Sequence, residues 1–172
     1  MLRSRIMTAL LAAALAAGGA GSASAQDATP VTAIPELIAT YEAALDAHDA
    51  AAVAALYAED ATVTQAVQNG NTFQGREAIE GWVADNLAGI PDLDVTTESV
   101  VSEGDRVAWQ WVYRGSYTGQ FSGLPAGQGQ PIELHGASFF VLRDRQIVQE
   151  TVYFDNAAFL AQTGTVATPA SE

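Results

Sequence analysis

The chain has 172 residues, of which 20 are acidic and seven basic, a formal net charge of −13 at pH 7, and no cysteine. So large an acidic excess repels nucleic acid and anionic membrane surfaces and favours neutral or cationic small ligands. The lack of cysteine excludes a disulfide framework, thiol chemistry and a lipid anchor on cysteine, so the fold must be held by its core.

In chain order, Arg3 and Arg5 precede an uncharged apolar run from Ile6 to Ala17 and small residues ending in Ala23-Ser24-Ala25. This is the layout of a secretory signal peptide, 1–25, and the run falls short of the roughly 20 apolar residues that span a bilayer. Cleavage after Ala25 would leave a product starting at Gln26, with five arginines against the 20 acids. Its size is that of one domain. The expected location is periplasmic or secreted, with no membrane attachment once the leader is gone. Residues 26–33 read as a disordered lead-in, 34–163 as the domain and 164–172 as a disordered Thr/Ala/Pro/Ser tail.

Within the domain, Ile34, Leu37, Ile38, Tyr41 and Leu45 recur at helical spacing, with Pro35 tolerated in the first turn. Asp49 is the expected cap of a second short helix presenting Val53, Leu56 and Tyr57. Ala61 to Val67 reads as a strand, and Gln68-Asn69-Gly70-Asn71 turns it back through Thr72-Phe73. A third helix follows Gly75, with Ile79, Trp82, Val83 and Leu87 on one face, ending near Gly89. The period then changes to two: Val95 to Ser102, Val107 to Tyr113, Ile132 to Leu142 and Gln146 to Phe154 read as strands, and Asn156 to Leu160 as a short helix. Helices followed by a strand meander predict an α+β domain with helices on one face of the sheet. The loop from Gly115 to Pro131 is long enough to be a lid.

The candidate chemistry is sparse. Gly-x-Ser-x-Gly, His-Glu-x-x-His and phosphate-loop patterns are missing, and the two histidines, His48 and His135, lie on different elements, so no metal site is expected. His135 is either a strand residue with a structural role or a pocket residue. Tyr117 is either a phenolic donor to a ligand carbonyl or an aromatic rim residue. Trp82, Trp109, Trp111, Tyr113 and Tyr153 either fill the core or line a cavity. Asp155, at the end of the last strand, has two compatible readings: N-cap of the last helix, or a poorly hydrated carboxyl able to move protons.

The series His48-Asp49, Leu56-Tyr57-Ala58-Glu59-Asp60, Gly75-Arg76-Glu77-Ala78-Ile79, Pro91-Asp92-Leu93, Glu103-Gly104-Asp105-Arg106-Val107-Ala108, Gly115-Ser116-Tyr117-Thr118-Gly119, Phe121-x-Gly123-x-Pro125-x-Gly127 and Ile147 to Asp155 resembles the SnoaL-like polyketide (ester) cyclase family over about residues 36 to 164. The resemblance implies the cone-shaped α+β fold of the nuclear transport factor 2-like superfamily: a curved, mostly antiparallel sheet closed on one face by three to four helices. It also implies an aspartate at Asp155 acting as general acid/base in an intramolecular aldol closure, no metal or organic cofactor, and a homodimer through the sheet. Gln149 and Thr151 stand where the family commonly has Glu and Trp, Tyr117 where it often has His, and Gln110 where it often has Arg. The function expected from this resemblance is an exported protein that binds a small apolar, carbonyl-bearing ligand and acts on it as a cyclase or isomerase. In that reading Asp155 is the acid/base, His135 and Tyr117 position the ligand oxygen, and Trp82, Trp109, Trp111 and Tyr153 form the lining. The alternatives are a non-catalytic carrier of the same fold, or a closed cone that serves only for association.

Overall fold

The computed structural model describes residues 33–66, 70–119 and 126–164. Ten elements follow one another: α1 (Ala33–Asp46), α2 (Ala50–Ala55), β1 (Tyr57–Gln65), β2 (Asn71–Gln74), α3 (Arg76–Gly89), β3 (Asp94–Glu103), β4 (Arg106–Tyr117), β5 (Gln130–Arg143), β6 (Gln146–Phe154) and α4 (Asn156–Gln162). The strands form one sheet in the order β2-β1-β6-β5-β4-β3, antiparallel throughout except for the parallel pair β1 and β6. The α+β architecture is the expected one. Its sheet is bent by three register shifts, in the β1/β6, β3/β4 and β5/β6 pairings, and such irregularities increase local twist and curl a sheet toward one face.

The concave face carries the core. On α1, Ile34, Ile38, Tyr41, Ala44 and Leu45 are buried, the spacing that puts one stripe of a helix against a sheet. From β5, Ile132, Leu134, Ser138, Phe140 and Leu142 point inward, while Glu133, His135, Phe139 and Arg143 point out. Gly136 occupies an inward position because the Trp111 indole lies across it: a Cβ there would come within 2.2 Å of that ring.

The boundaries differ from the sequence expectation in one instructive place. Tyr57 is not helical. The α2 helix ends at Leu56, whose N–H bonds back to Val53, and the Leu56 carbonyl then accepts the Ile147 N–H, so Tyr57 begins β1 beside β6. Tertiary pairing with a strand 90 residues on overrides the local helical spacing. β1 and β2 pair in the expected antiparallel sense, with Gln65 opposite Asn71; residues 67–69, which include most of the expected Asn-Gly turn, lie outside the described residues. The expected long loop is shortened from both ends by β4 and β5; its centre, 120–125, also lies outside the described residues, as do 1–32 and 165–172.

Candidate functional site

Between the helices and the concave face lies a cavity of about 610 Å³, within the usual range for small-molecule sites. Its wall draws on Tyr41 and Leu45 of α1, Trp82, Val83, Asp85 and Asn86 of α3, Phe73 of β2, Trp111 and Tyr113 of β4, and Phe159 and Leu160 of α4. Its sheet side is formed by Gln65, Leu134, Ser138, Glu150, Val152 and Phe154. Seven of these residues are aromatic, two are acidic, and none of the described lining residues is basic.

Glu150 is the chemical centre of this wall. Along β6 the side chains alternate, so Glu150, Val152 and Phe154 face the cavity while Gln149, Thr151 and Tyr153 do not. Glu150 is only 1 % exposed. The Tyr57 hydroxyl donates to its Oε2, and the Ser138 hydroxyl hydrogen-bonds the same carboxyl. Ser138 in turn accepts from Trp111 Nε1 at 3.1 Å, and the Tyr41 and Tyr57 hydroxyls lie 2.9 Å apart. Burial pushes the Glu150 carboxyl up from its ordinary 4.5, while the Tyr57 and Ser138 hydrogen bonds hold it back, leaving it at about 7. Burial, and then the charge of Glu150, raise both Tyr41 and Tyr57 well above the usual phenol range, so both stay protonated. A carboxyl that exchanges its proton near neutrality inside an apolar cavity is suited to general acid/base work. Opposite the sheet, Trp82 stacks on Phe73 with ring centroids 5.5 Å apart, and its buried Nε1 has no acceptor among the described residues. A buried donor without a partner is uncommon, and a ligand oxygen is the kind of group that completes one.

The residues singled out from sequence are distributed differently. Trp82 and Trp111 line the cavity. Trp109 lies in the filled core, stacked against Phe140 with its Nε1 donating to Thr97 at 2.7 Å. Tyr117 is buried in the core edge-on to Phe159 and is not part of the described wall of this cavity. Tyr153 points to the outer face, 48 % exposed, edge-on to Phe139. His135 is on that outer face too, its side chain 58 % exposed between Glu98 and Glu133, because odd-numbered β5 residues face away from the helices. Asp155 is exposed, and its Oδ1 accepts the Ala158 N–H at 2.9 Å as the N-cap of α4. The strand has ended by that point, so the carboxyl leaves the parity that carries Glu150 into the cavity. Asp155 is not part of the cavity wall.

Sequence reading passed over Glu150, Ser138, Tyr41 and Tyr57. One signal was available: in Glu150-Thr151-Val152-Tyr153-Phe154, Glu150 shares its parity with Val152 and Phe154, and a lone acid on an apolar face is unusual unless it is paired or functional. Among the described residues there is no group of three or more His, Cys, Asp and Glu side chains arranged to hold a metal ion. No described helix is long and apolar enough to cross a membrane.

A curved sheet closed by helices over an apolar cavity is the architecture of the ketosteroid isomerase-like fold. The SnoaL-like polyketide cyclase profile matches residues 36–163, and the chain belongs to that family. Among solved structures, the chain is similar to a protein of ketosteroid isomerase-like fold from Catenulispora acidiphila, solved in complex with trimethylamine: 30% identity, 76% of this chain and 93% of that one covered, TM-score 0.63. It is also similar to IdmH of Streptomyces antibioticus, a candidate polyketide cyclase, at 29% identity, 76% and 97% coverage and TM-score 0.63. A SnoaL-like protein from Jannaschia shares the fold at 22% identity, 83% and 99% coverage and TM-score 0.71. No curated protein matches the chain.

Proposed function

We propose that the protein is a cofactor-independent acid/base catalyst of the cyclase or isomerase type, acting on a small, largely apolar ligand that carries an enolisable carbonyl, and that Glu150 rather than Asp155 moves the proton. The observation that carries this reading is the buried Glu150 carboxyl on the cavity wall, held at about 7. Membership of the SnoaL-like family supports the reaction class. In such a step Glu150 as carboxylate takes a proton from the carbon beside the carbonyl, the electron pair moves to the carbonyl oxygen as an enolate, and a neutral donor stabilises that oxygen. Ring closure or reprotonation at another carbon then consumes the enolate. Deuterium exchange into the α-position of 2-methylcyclohexanone, followed by NMR, tests the assignment. Glu150→Gln is expected to slow enzyme-dependent exchange by about 100-fold or more, the ordinary contribution of a positioned base, while Asp155→Asn leaves it unchanged. Exchange that survives in Glu150→Gln and disappears in Asp155→Asn would return the role to Asp155.

A second reading, carriage of a small amine without turnover, is favoured by the aromatic and acidic lining, with no basic residue among its described members, and by the trimethylamine bound to the Catenulispora relative. Aromatic faces and a carboxylate suit an organic cation. Calorimetry with trimethylamine separates the readings: a carrier loses affinity in Glu150→Gln and shows no exchange activity to lose. We also propose that the chain is exported, with Gln26 as the mature N-terminus, supported by the pattern over residues 1–25 and testable by N-terminal sequencing of secreted material. A homodimer through the outer sheet face is proposed on the exposed Val101, Phe139 and Tyr153, with light scattering of wild type and Tyr153→Arg as the check.

A further inference from the structure

Tyr41, Tyr57 and Glu150 form a hydrogen-bonded file running from the cavity wall into the protein and back to the cavity. Tyr57 is fully buried and is not a lining residue, whereas Tyr41 and Glu150 both are. The Tyr57 hydroxyl has one proton, and it goes to Glu150 Oε2. Tyr57 therefore cannot also donate across the 2.9 Å contact to Tyr41, so Tyr41 must be the donor there. With Glu150 ionised, the Tyr41 proton is committed inward and only its oxygen lone pairs remain for a ligand. When Glu150 carries a proton on Oε2, the file turns round: Glu150 donates to Tyr57, Tyr57 to Tyr41, and the Tyr41 proton is released. Each hydroxyl keeps its own proton and rotates about its C–O bond, so the only proton gained or lost is the one on Glu150.

We infer that the Tyr41 hydroxyl is a second ligand contact of this site, and that Tyr57 is a positioning residue through which the charge of Glu150 sets Tyr41 as acceptor or donor. The inference rests on the cavity being the ligand site. The surroundings leave the file under the control of Glu150. The groups facing it are Tyr113 and Trp111 of β4 and Ser138 of β5, all neutral, with Asp85 of α3 on the same cavity wall. No described lining residue is a cation. The consequence for ligand choice is specific. A ligand whose polar group only accepts, such as a ketone, is held by Tyr41 when Glu150 is protonated. A ligand that can donate, such as an alcohol, is held in either state.

The test uses cyclohexanone and cyclohexanol, which match in ring size and differ in donor capacity, titrated into the full protein and followed by the indole N–H signal of Trp111. For wild type, cyclohexanone affinity is expected to fall about tenfold between pH 6 and 8, as Glu150 ionises around 7, while cyclohexanol affinity stays level. Tyr57→Phe removes the inward acceptor for Tyr41 and frees its proton at every pH, so cyclohexanone should bind at the strong level without pH dependence. Tyr41→Phe should bind it at the weak level, again without pH dependence. Loss of packing alone would not raise affinity in one variant and lower it in the other. A wild-type pH dependence that persists in Tyr57→Phe, displaced to higher pH, would mean that Glu150 donates to the ketone itself. That result overturns the relay and leaves Glu150 as the acid/base. Wild-type cyclohexanone affinity that does not change with pH overturns the relay whatever the exchange experiment gives, and absence of ketone binding at any pH overturns both.

Discussion

Glu150 and Asp155 are five residues apart on one segment and occupy opposite physical regimes. Glu150 lies in mid-strand on the concave face, 1 % exposed, with the Tyr57 and Ser138 hydroxyls favouring its ionised form against burial. Asp155 lies one residue past the strand, in water, with its carboxylate spent on the Ala158 N–H. One carboxyl weakens the fold when it ionises, and the other stabilises a helix end by accepting the Ala158 N–H. The contrast shows that strand parity and strand end, rather than residue type, decide which acid is available for chemistry.

The largest expected effect tests the Glu150 half of that contrast. Its carboxyl holds a proton to about 7 in the folded protein against an ordinary 4.5. Between those values the folded state binds more protons than the unfolded one, so this group makes stability fall as pH rises through that window, with no further loss above it. A displacement of that size corresponds to about 3 kcal/mol at 1.36 kcal/mol per unit. Glu150→Gln keeps the shape and removes the ionisation. Urea unfolding of both proteins from pH 4.5 to 8 should therefore show the variant gaining about 3 kcal/mol on wild type across the window. Asp92, whose carboxyl is held below its ordinary value by the Ser116 N–H and hydroxyl, contributes with the opposite sign. Its stabilisation is present above the ordinary carboxylate value and is lost as pH falls, equally in both proteins, so it cancels from the difference. Parallel stability curves would show that Glu150 is ionised, or hydrated, in the folded state.

The next effect concerns the floor of the cavity. A Cβ on Gly136 would meet three atoms of the Trp111 ring between 2.2 and 2.7 Å, so Gly136→Ala must displace the indole and with it the donor that holds Ser138. A cost of about 2 kcal/mol is expected from overpacking, readable by urea unfolding. The displaced ring should also alter ketone affinity, which the cap-preserving Asp155→Asn would not do.

Much of this arrangement was legible in the chain. The order of helices and strands follows from the change of period near Val95, and the antiparallel return of β2 onto β1 was signalled by the Asn-Gly pair between them. What alternation could not decide is which parity faces the helices, because β5 and β6 carry large apolar groups on both faces. Phe140 and Val152 point in, while Phe139 and Tyr153 point out. That ambiguity placed His135 and Tyr153 in the pocket and left Glu150 unremarked. The start of β1 at Tyr57 was hidden for a related reason: its partner is Ile147, and a parallel pairing over that distance leaves no local trace. The cap role of Asp155 was readable, since it needs only the five residues that follow.

The smallest expected effect tests the Asp155 half. If Asp155 does no more than cap α4, Asp155→Ala should cost about 1 kcal/mol, because the Ala158 N–H loses its acceptor, and Asp155→Asn should recover most of it through the amide oxygen. The seven-residue α4 supplies Phe159 and Leu160 to the cavity wall, so loosening its first turn also disturbs the ligand site. Activity in Asp155→Ala is then expected to fall without any proton passing through Asp155, and the alanine variant alone would mislead. The asparagine variant resolves this, since it keeps the cap and removes only the ionisable group. Equal stability and equal α-deuterium exchange in Asp155→Asn and wild type would confine Asp155 to structure. A loss of exchange at unchanged stability would place a second functional carboxyl at the end of β6.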